Sequence, residues 1–154
     1  MITSNLGPDV VSSRRPLTMI LAEDNDSHAK LVMRAMQSNT LNLRIQHLSD
    51  GQQVVDLLKE LMDDDHASLP ELILLDLRLP RMDGMEVLKW IKTSSKFKKI
   101  PVVVFSSSEN SEEIQRAYSL GANSYLIKPL DYDKLKTLVL EVSKYWLETN
   151  QNPG

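Results

Sequence analysis

The stretch Leu72-Ile73-Leu74-Leu75-Asp76-Leu77-Arg78-Leu79-Pro80-Arg81-Met82-Asp83-Gly84 decides how the rest of the chain is read. Four consecutive apolar residues suit a strand buried on both faces, and such strands belong to the centre of a parallel sheet. The run ends on a carboxylate, Asp76. A helical pattern then starts at Gly84 and extends to about residue 93, with Met85, Leu88 and Ile91 at helical spacing.

The same form, a short apolar run followed by an amphipathic stretch, recurs on both sides. Upstream, strand 18–22 precedes a helix over 26–38 carrying Ala29, Val32, Met33 and Met36. Strand 44–48 precedes a helix from Gly51 with Val54, Leu58 and Leu61, and Ser49-Asp50-Gly51-Gln52 offers capping side chains at its start. Downstream, strand 102–105 follows Pro101 and leads to a helix over 111–120 that stops at Gly121. Strand 124–127 leads to a last helix over 131–149, with Leu135, Leu138, Val139, Val142 and Trp146 as one buried stripe. Five strand-helix units predict an α/β domain with a parallel five-stranded sheet wound on both faces, over residues 17–149. Residues 1–16 show no sustained period and are expected to be a mobile arm, and 150–154 a short tail.

The 154 residues suit one domain, and 42% hydrophobic with 25% charged content is that of an ordinary soluble protein. A net charge of -3 gives no basis for nucleic acid as a partner. With no cysteine, disulfides and thiolate metal sites are excluded, and a reducing, cytoplasmic setting is expected. No continuous apolar run is long enough to span a membrane.

In an open parallel sheet the loops leaving the carboxyl ends of the strands converge on the ligand crevice. Here those ends carry Glu23-Asp24, Asp76, Ser106 and Lys128-Pro129. Three carboxylates, a hydroxyl and an amine therefore share one rim. Carboxylates about 4–6 Å apart repel by a few kcal/mol, so the cluster implies a divalent cation. Hard oxygen donors without a nearby imidazole suit Mg²⁺ or Mn²⁺. Phosphoryl transfer fits this set, with Asp76 as nucleophile and Lys128 contacting the product. Asp63-Asp64-Asp65 reads as a solvated loop, and His28, His47 and His66 are given no chemistry.

Taken together, Glu23-Asp24, the segment from Leu74 to Gly84, Val104-Phe105-Ser106-Ser107 and Gly121-Ala122-Asn123-Ser124-Tyr125-Leu126-Ile127-Lys128-Pro129 resemble the receiver domain of two-component response regulators. The resemblance implies a flavodoxin-like (βα)5 fold with strand order 2-1-3-4-5, and a cognate histidine kinase as phosphoryl donor. It also implies Mg²⁺ held by Glu23, Asp24, Asp76 and the backbone carbonyl of Arg78. Ser106, rather than the adjacent Ser107, would bond the phosphoryl group, and Tyr125 would report the switch. Residues 62–70, 98–104 and the ending Tyr145-Trp146-Leu147-Glu148-Thr149 are further similar to small stand-alone regulators of cyanobacterial phytochrome kinases. That implies no output domain and a homodimer through the last helix, on which Leu140, Lys144 and Leu147 form a second row. Arg78 and Ser108, two residues beyond the acceptor and the hydroxyl, are expected to tune the lifetime of the phosphorylated state.

Other classes fit less well. A hydrolase with an aspartyl nucleophile wants a general acid two residues on, where Arg78 stands. A flavodoxin-type cofactor site wants a phosphate cradle after the first strand, where two acids stand. A receiver-like module that binds its partner without phosphorylation is the alternative.

Overall fold

Residues Leu72–Leu75 form β3, and all four are buried. The structure, a computed structural model, describes residues 17–37 and 42–151. The expected arm over 1–16, Ser38 at the end of the first helix, and tail residues 152–154 lie outside them. The elements are β1 (Leu17–Ala22), α1 (Asp26–Gln37), β2 (Leu43–Leu48), α2 (Gly51–Met62), β3, α3 (Gly84–Lys92), β4 (Val102–Ser106), α4 (Ser111–Ser119), β5 (Ser124–Ile127) and α5 (Tyr132–Lys144). A π-helical turn over Tyr145–Thr149 follows α5. The expected helix over 131–149 is therefore interrupted: the Asn150 amide reaches back five residues to the carbonyl of Tyr145, and Tyr145 meets Trp146 edge to face.

All strand pairs are parallel, in the order β2-β1-β3-β4-β5. This is the flavodoxin-like (βα)5 arrangement. Alternation along the three inner strands divides the core between the two faces. Ile20, Ala22, Ile73, Leu75, Val102 and Val104 face Val54 and Leu58 of α2, Leu88 and Ile91 of α3, and Ala117 of α4. Met19, Leu21, Leu72, Leu74, Val103 and Phe105 face Ala29, Val32 and Met36 of α1, and Leu135, Val139 and Val142 of α5. At about 1.5–3 kcal/mol for each large apolar side chain, β3 alone anchors both layers. The row Leu140, Lys144, Leu147 is not a free face throughout, since Leu147 packs partly against the core. The exposed aromatic at that end is Tyr145.

Caps set the helix starts. Asp50 accepts the Gln53 amide at 2.8 Å and Asp83 accepts the Glu86 amide at 3.0 Å. Gly84 opens α3 directly beneath the end of β3, where a β-carbon would lie 2.3 Å from the carbonyl oxygen of Asp76.

At the opposite end of α3, Lys92 Nζ donates to the carbonyls of Lys98 (3.0 Å) and Ile100 (2.7 Å) and to Asn123 Oδ1 (2.9 Å). These acceptors are neutral, and burial lowers the Lys92 pKa from 10.5 to about 8. Between those values the unfolded chain binds more protons than the folded one, so this group makes stability rise with pH across the window. The stability of wild type relative to Lys92→Met is expected to increase from about pH 8 to about 10.5 in urea titrations. A difference independent of pH would contradict this.

Candidate functional site

The parallel register brings the carboxyl ends of β1 and β3 level, pairing Ala22 with Leu75, so the residues that follow, Glu23 and Asp76, leave the sheet side by side. Glu23 and Asp76 are buried, at 2% and 6% exposure, whereas Asp24 is exposed. One carboxylate oxygen from each of Glu23, Asp24 and Asp76 lies within 4.8 Å of the others. From the end of β5, Lys128 Nζ reaches both buried acids, at 2.5 Å from Glu23 Oε1 and 2.8 Å from Asp76 Oδ2. Four of the five side chains named from the strand ends, Glu23, Asp24, Asp76 and Lys128, are thus brought together.

Their charges do not balance. Three carboxylates face one ammonium, and at about 5 Å each unscreened carboxylate pair costs on the order of 3 kcal/mol at an effective dielectric near 20. Burial raises the pKa of Glu23, Lys128 opposes that rise by hydrogen bond and charge, and Asp76 adds to it. Burial also acts to lower the pKa of Lys128, but its hydrogen bonds and charge interactions with Asp76 and Glu23 outweigh it and the net shift is upward. Oxygen donors with residual negative charge and one exposed member fit a hard divalent cation. A hollow of about 480 Å³, lined by Asp24, Arg78, Pro80, Asp83, Glu113 and Arg116 among others, opens beside Asp24 and gives access from solvent.

The remaining named residues lie close by but are otherwise engaged. The Arg78 amide donates to Asp76 Oδ1 at 3.1 Å, which folds the chain back over the carboxylate, while the Arg78 side chain points outward to Glu113. Ser106 ends β4 fully buried, and its Oγ accepts the Ser108 amide at 3.1 Å. Ser107 is exposed and lines a second pocket of about 170 Å³ on the other side of the cluster's Glu23 and Lys128, with His28, Phe105 and Leu130. Among the described residues, no side-chain hydrogen bond joins Ser106 to Asp76 or Lys128. Tyr125 is half-buried and donates its hydroxyl to the Ser108 carbonyl at 2.9 Å, away from the acidic cluster.

Two participants were not legible in the sequence. His47 Nε2 lies 2.7 Å from the Glu23 carbonyl and braces the acidic loop. Its signal was positional: β2 pairs with β1 so that His47 stands opposite Leu21, two residues before Glu23. Glu113, in the first turn of α4, receives both Arg78 and the Ser108 hydroxyl. A spacing of 35 residues from Arg78 leaves no local pattern to read.

Comparison with known proteins gives the family. The family model for the response regulator receiver domain matches residues 19–140. The probable methanogenesis regulatory protein FilR2 of Methanothrix harundinacea is 46% identical, over 95% of this chain and 94% of that one. Response regulator Rcp1 of Synechocystis is 35% identical, over 92% of this chain and 97% of that one. Among solved structures, the phosphorylated cyanobacterial phytochrome response regulator RcpA aligns with a TM-score of 0.84 at 35% identity, covering 91% of this chain and all of that one. The Mn²⁺-bound form of Rcp1 aligns at 0.82 and 34% identity, over 90% of this chain and 100% of that one. With its sheet order, its strand-end acids and lysine, and a family match over most of its length, this chain belongs to the response regulator receiver domain family.

Proposed function

We propose that Asp76 accepts a phosphoryl group from the phosphohistidine of a histidine kinase. The observation that carries this reading is the Lys128 ammonium shared by Asp76 and Glu23 inside a cluster of three carboxylates. An Asp76 carboxylate oxygen attacks phosphorus, the bond from phosphorus to the donor imidazole breaks, and the electron pair leaves with the nitrogen, which takes up a proton from solvent. Mg²⁺ or Mn²⁺, held by Glu23, Asp24, Asp76 and the Arg78 carbonyl, would neutralise charge on the transferred oxygens. Lys128 exchanges its carboxylate partners for a phosphoryl oxygen. Ser106 Oγ gives up the Ser108 amide for another, and the Ser108–Tyr125 contact repacks with it. The phosphorylated and unmodified forms then differ on the face of α4, β5 and α5. The domain, spanning 17–149, acts on itself and on no external substrate, in the cytoplasm, without nucleic acid. Self-association through the α5 end is part of the proposal, and light scattering across concentration tests it: a strict monomer with and without phosphate removes it.

Two readings of the kinase are supported. Similarity to RcpA, named as a phytochrome response regulator, supports a phytochrome kinase. The higher identity to FilR2 supports a kinase of a methanogenesis regulatory system. Phosphotransfer from each kinase class, read by loss of label from the kinase, separates the two, and transfer from neither would count against a kinase-driven role and favour the phosphorylation-independent module. In each case EDTA is expected to stop transfer. Asp24→Asn is expected to weaken Mn²⁺ binding by about tenfold or more in calorimetry, because affinity for hard cations follows the ligand charge count; unchanged affinity would remove Asp24 from the metal set.

A further inference from the structure

Two loops flank the acceptor, and a single carboxylate from α4 ties them together. Arg78 is bound at both ends: its amide donates to Asp76 Oδ1 and its Nη2 donates to Glu113 Oε1, each at 3.1 Å. Ser108 has the matching arrangement, its amide donating to Ser106 Oγ at 3.1 Å and its hydroxyl to the same Glu113 Oε1 at 2.5 Å. Glu113 is itself fixed, since its amide donates to the Asn110 cap at 3.0 Å. An exposed ion pair alone is weak, and the Arg78 side chain is 70% exposed. Here, however, one oxygen takes a guanidinium and a hydroxyl from two different loops, so each contact restrains the other. The bridge borders the hollow through which solvent reaches Asp24.

We propose that Glu113 is a positioning residue that gates the acceptor, holding the Arg78 and Ser108 side chains together across the approach to Asp76. The inference rests on Asp76 being the phosphoacceptor. The gate narrows two routes. Inward, it hinders a small phosphoryl donor. Outward, it hinders hydrolysis, in which a water oxygen attacks phosphorus, the bond to Asp76 breaks, and inorganic phosphate leaves as the carboxylate is regenerated. A gate therefore slows gain and loss together, whereas a group acting on the chemistry of one step would move one of them.

The test uses the full chain with acetyl phosphate and Mg²⁺, following the phosphoryl adduct by intact mass during loading and again after donor removal. Glu113→Ala is expected to raise both rates by about fivefold, the scale of one small interaction network. Glu113→Gln, which keeps an acceptor for Ser108 but loses the charge pairing with Arg78, is expected to fall between. Adding Arg78→Ala to Glu113→Ala should bring no further increase, because Glu113 acts through that side chain. Mn²⁺ affinity and the melting temperature should stay at wild-type values, which a merely structural loss would not leave in place. Wild-type rates in Glu113→Ala, slower rates, or a rise in one rate alone would overturn the gate. A wild type that takes no phosphate would instead overturn the acceptor reading, and the gate with it, before any variant is compared.

Discussion

Lys128→Met is expected to lower the unfolding free energy by about 3 kcal/mol, because it leaves two buried carboxylates facing each other without their shared cation. The side chains of Lys128, Glu23 and Asp76 are 12%, 3% and 8% exposed, so water replaces little of what is lost. In the wild type, burial disfavours the Lys128 ammonium but its partners hold its pKa above 10.5. Its contribution is thus fully present below about pH 10.5 and is lost as pH rises through the higher folded value, a dependence that Lys128→Met should lack. Glu23, whose pKa is also raised, acts in the same direction at lower pH: ionising it costs stability as pH rises above 4.5, so the variant should recover part of its loss in acid. Mg²⁺ should also restore part of it, by supplying positive charge to the same oxygens. Urea denaturation at neutral pH, with and without Mg²⁺, measures both effects. A variant as stable as wild type would mean that the ammonium does not hold the site together.

The second large effect is expected at Gly84. An alanine β-carbon there would lie 2.3 Å from the Asp76 carbonyl oxygen and 2.6 Å from the Leu77 α-carbon. Both are backbone atoms, so no side chain can swing aside, and either α3 or the loop that begins at Asp76 must move. Gly84→Ala should cost about 2–3 kcal/mol, in the range of overpacking elsewhere in proteins. Asp76 is displaced in the process, and a shift of about 1 Å can cost as much as 100-fold in rate. Phosphorylation by acetyl phosphate, measured on protein verified as folded by circular dichroism, should fall by about tenfold or more. Wild-type kinetics would show that the loop carrying Asp76 is not built on that contact.

These two positions also mark what could be read from the sequence. The apolar run of β3 announces a central strand because burial on both faces allows no polar alternation, and the structure has β3 between β1 and β4. Four strand ends carrying Glu23-Asp24, Asp76, Ser106 and Lys128 were legible because a parallel sheet delivers every carboxyl end to one rim. Element bounds that fall among the described residues agree to within about a residue, save where α5 passes into the π-helical turn. What was hidden depends on side-chain direction rather than on spacing. That Lys128 bridges Glu23 as well as Asp76 follows from the depth of the rim, and the brace from His47 follows from the β1–β2 register. Ser108 was expected to tune lifetime by its position, but its contacts to Ser106, Glu113 and Tyr125 emerge only when α4 is docked. Leu147 looked like part of an outer row because a one-helix pattern cannot show that the turn after α5 packs partly against the core.

Intact mass of the purified chain after incubation with acetyl phosphate and Mg²⁺ addresses the acceptor most directly. Wild type should gain one phosphoryl group, and Asp76→Asn should gain none while keeping its melting transition. An unmodified wild type, or an equal adduct on Asp76→Asn, would show that Asp76 is not the residue that takes the phosphoryl group.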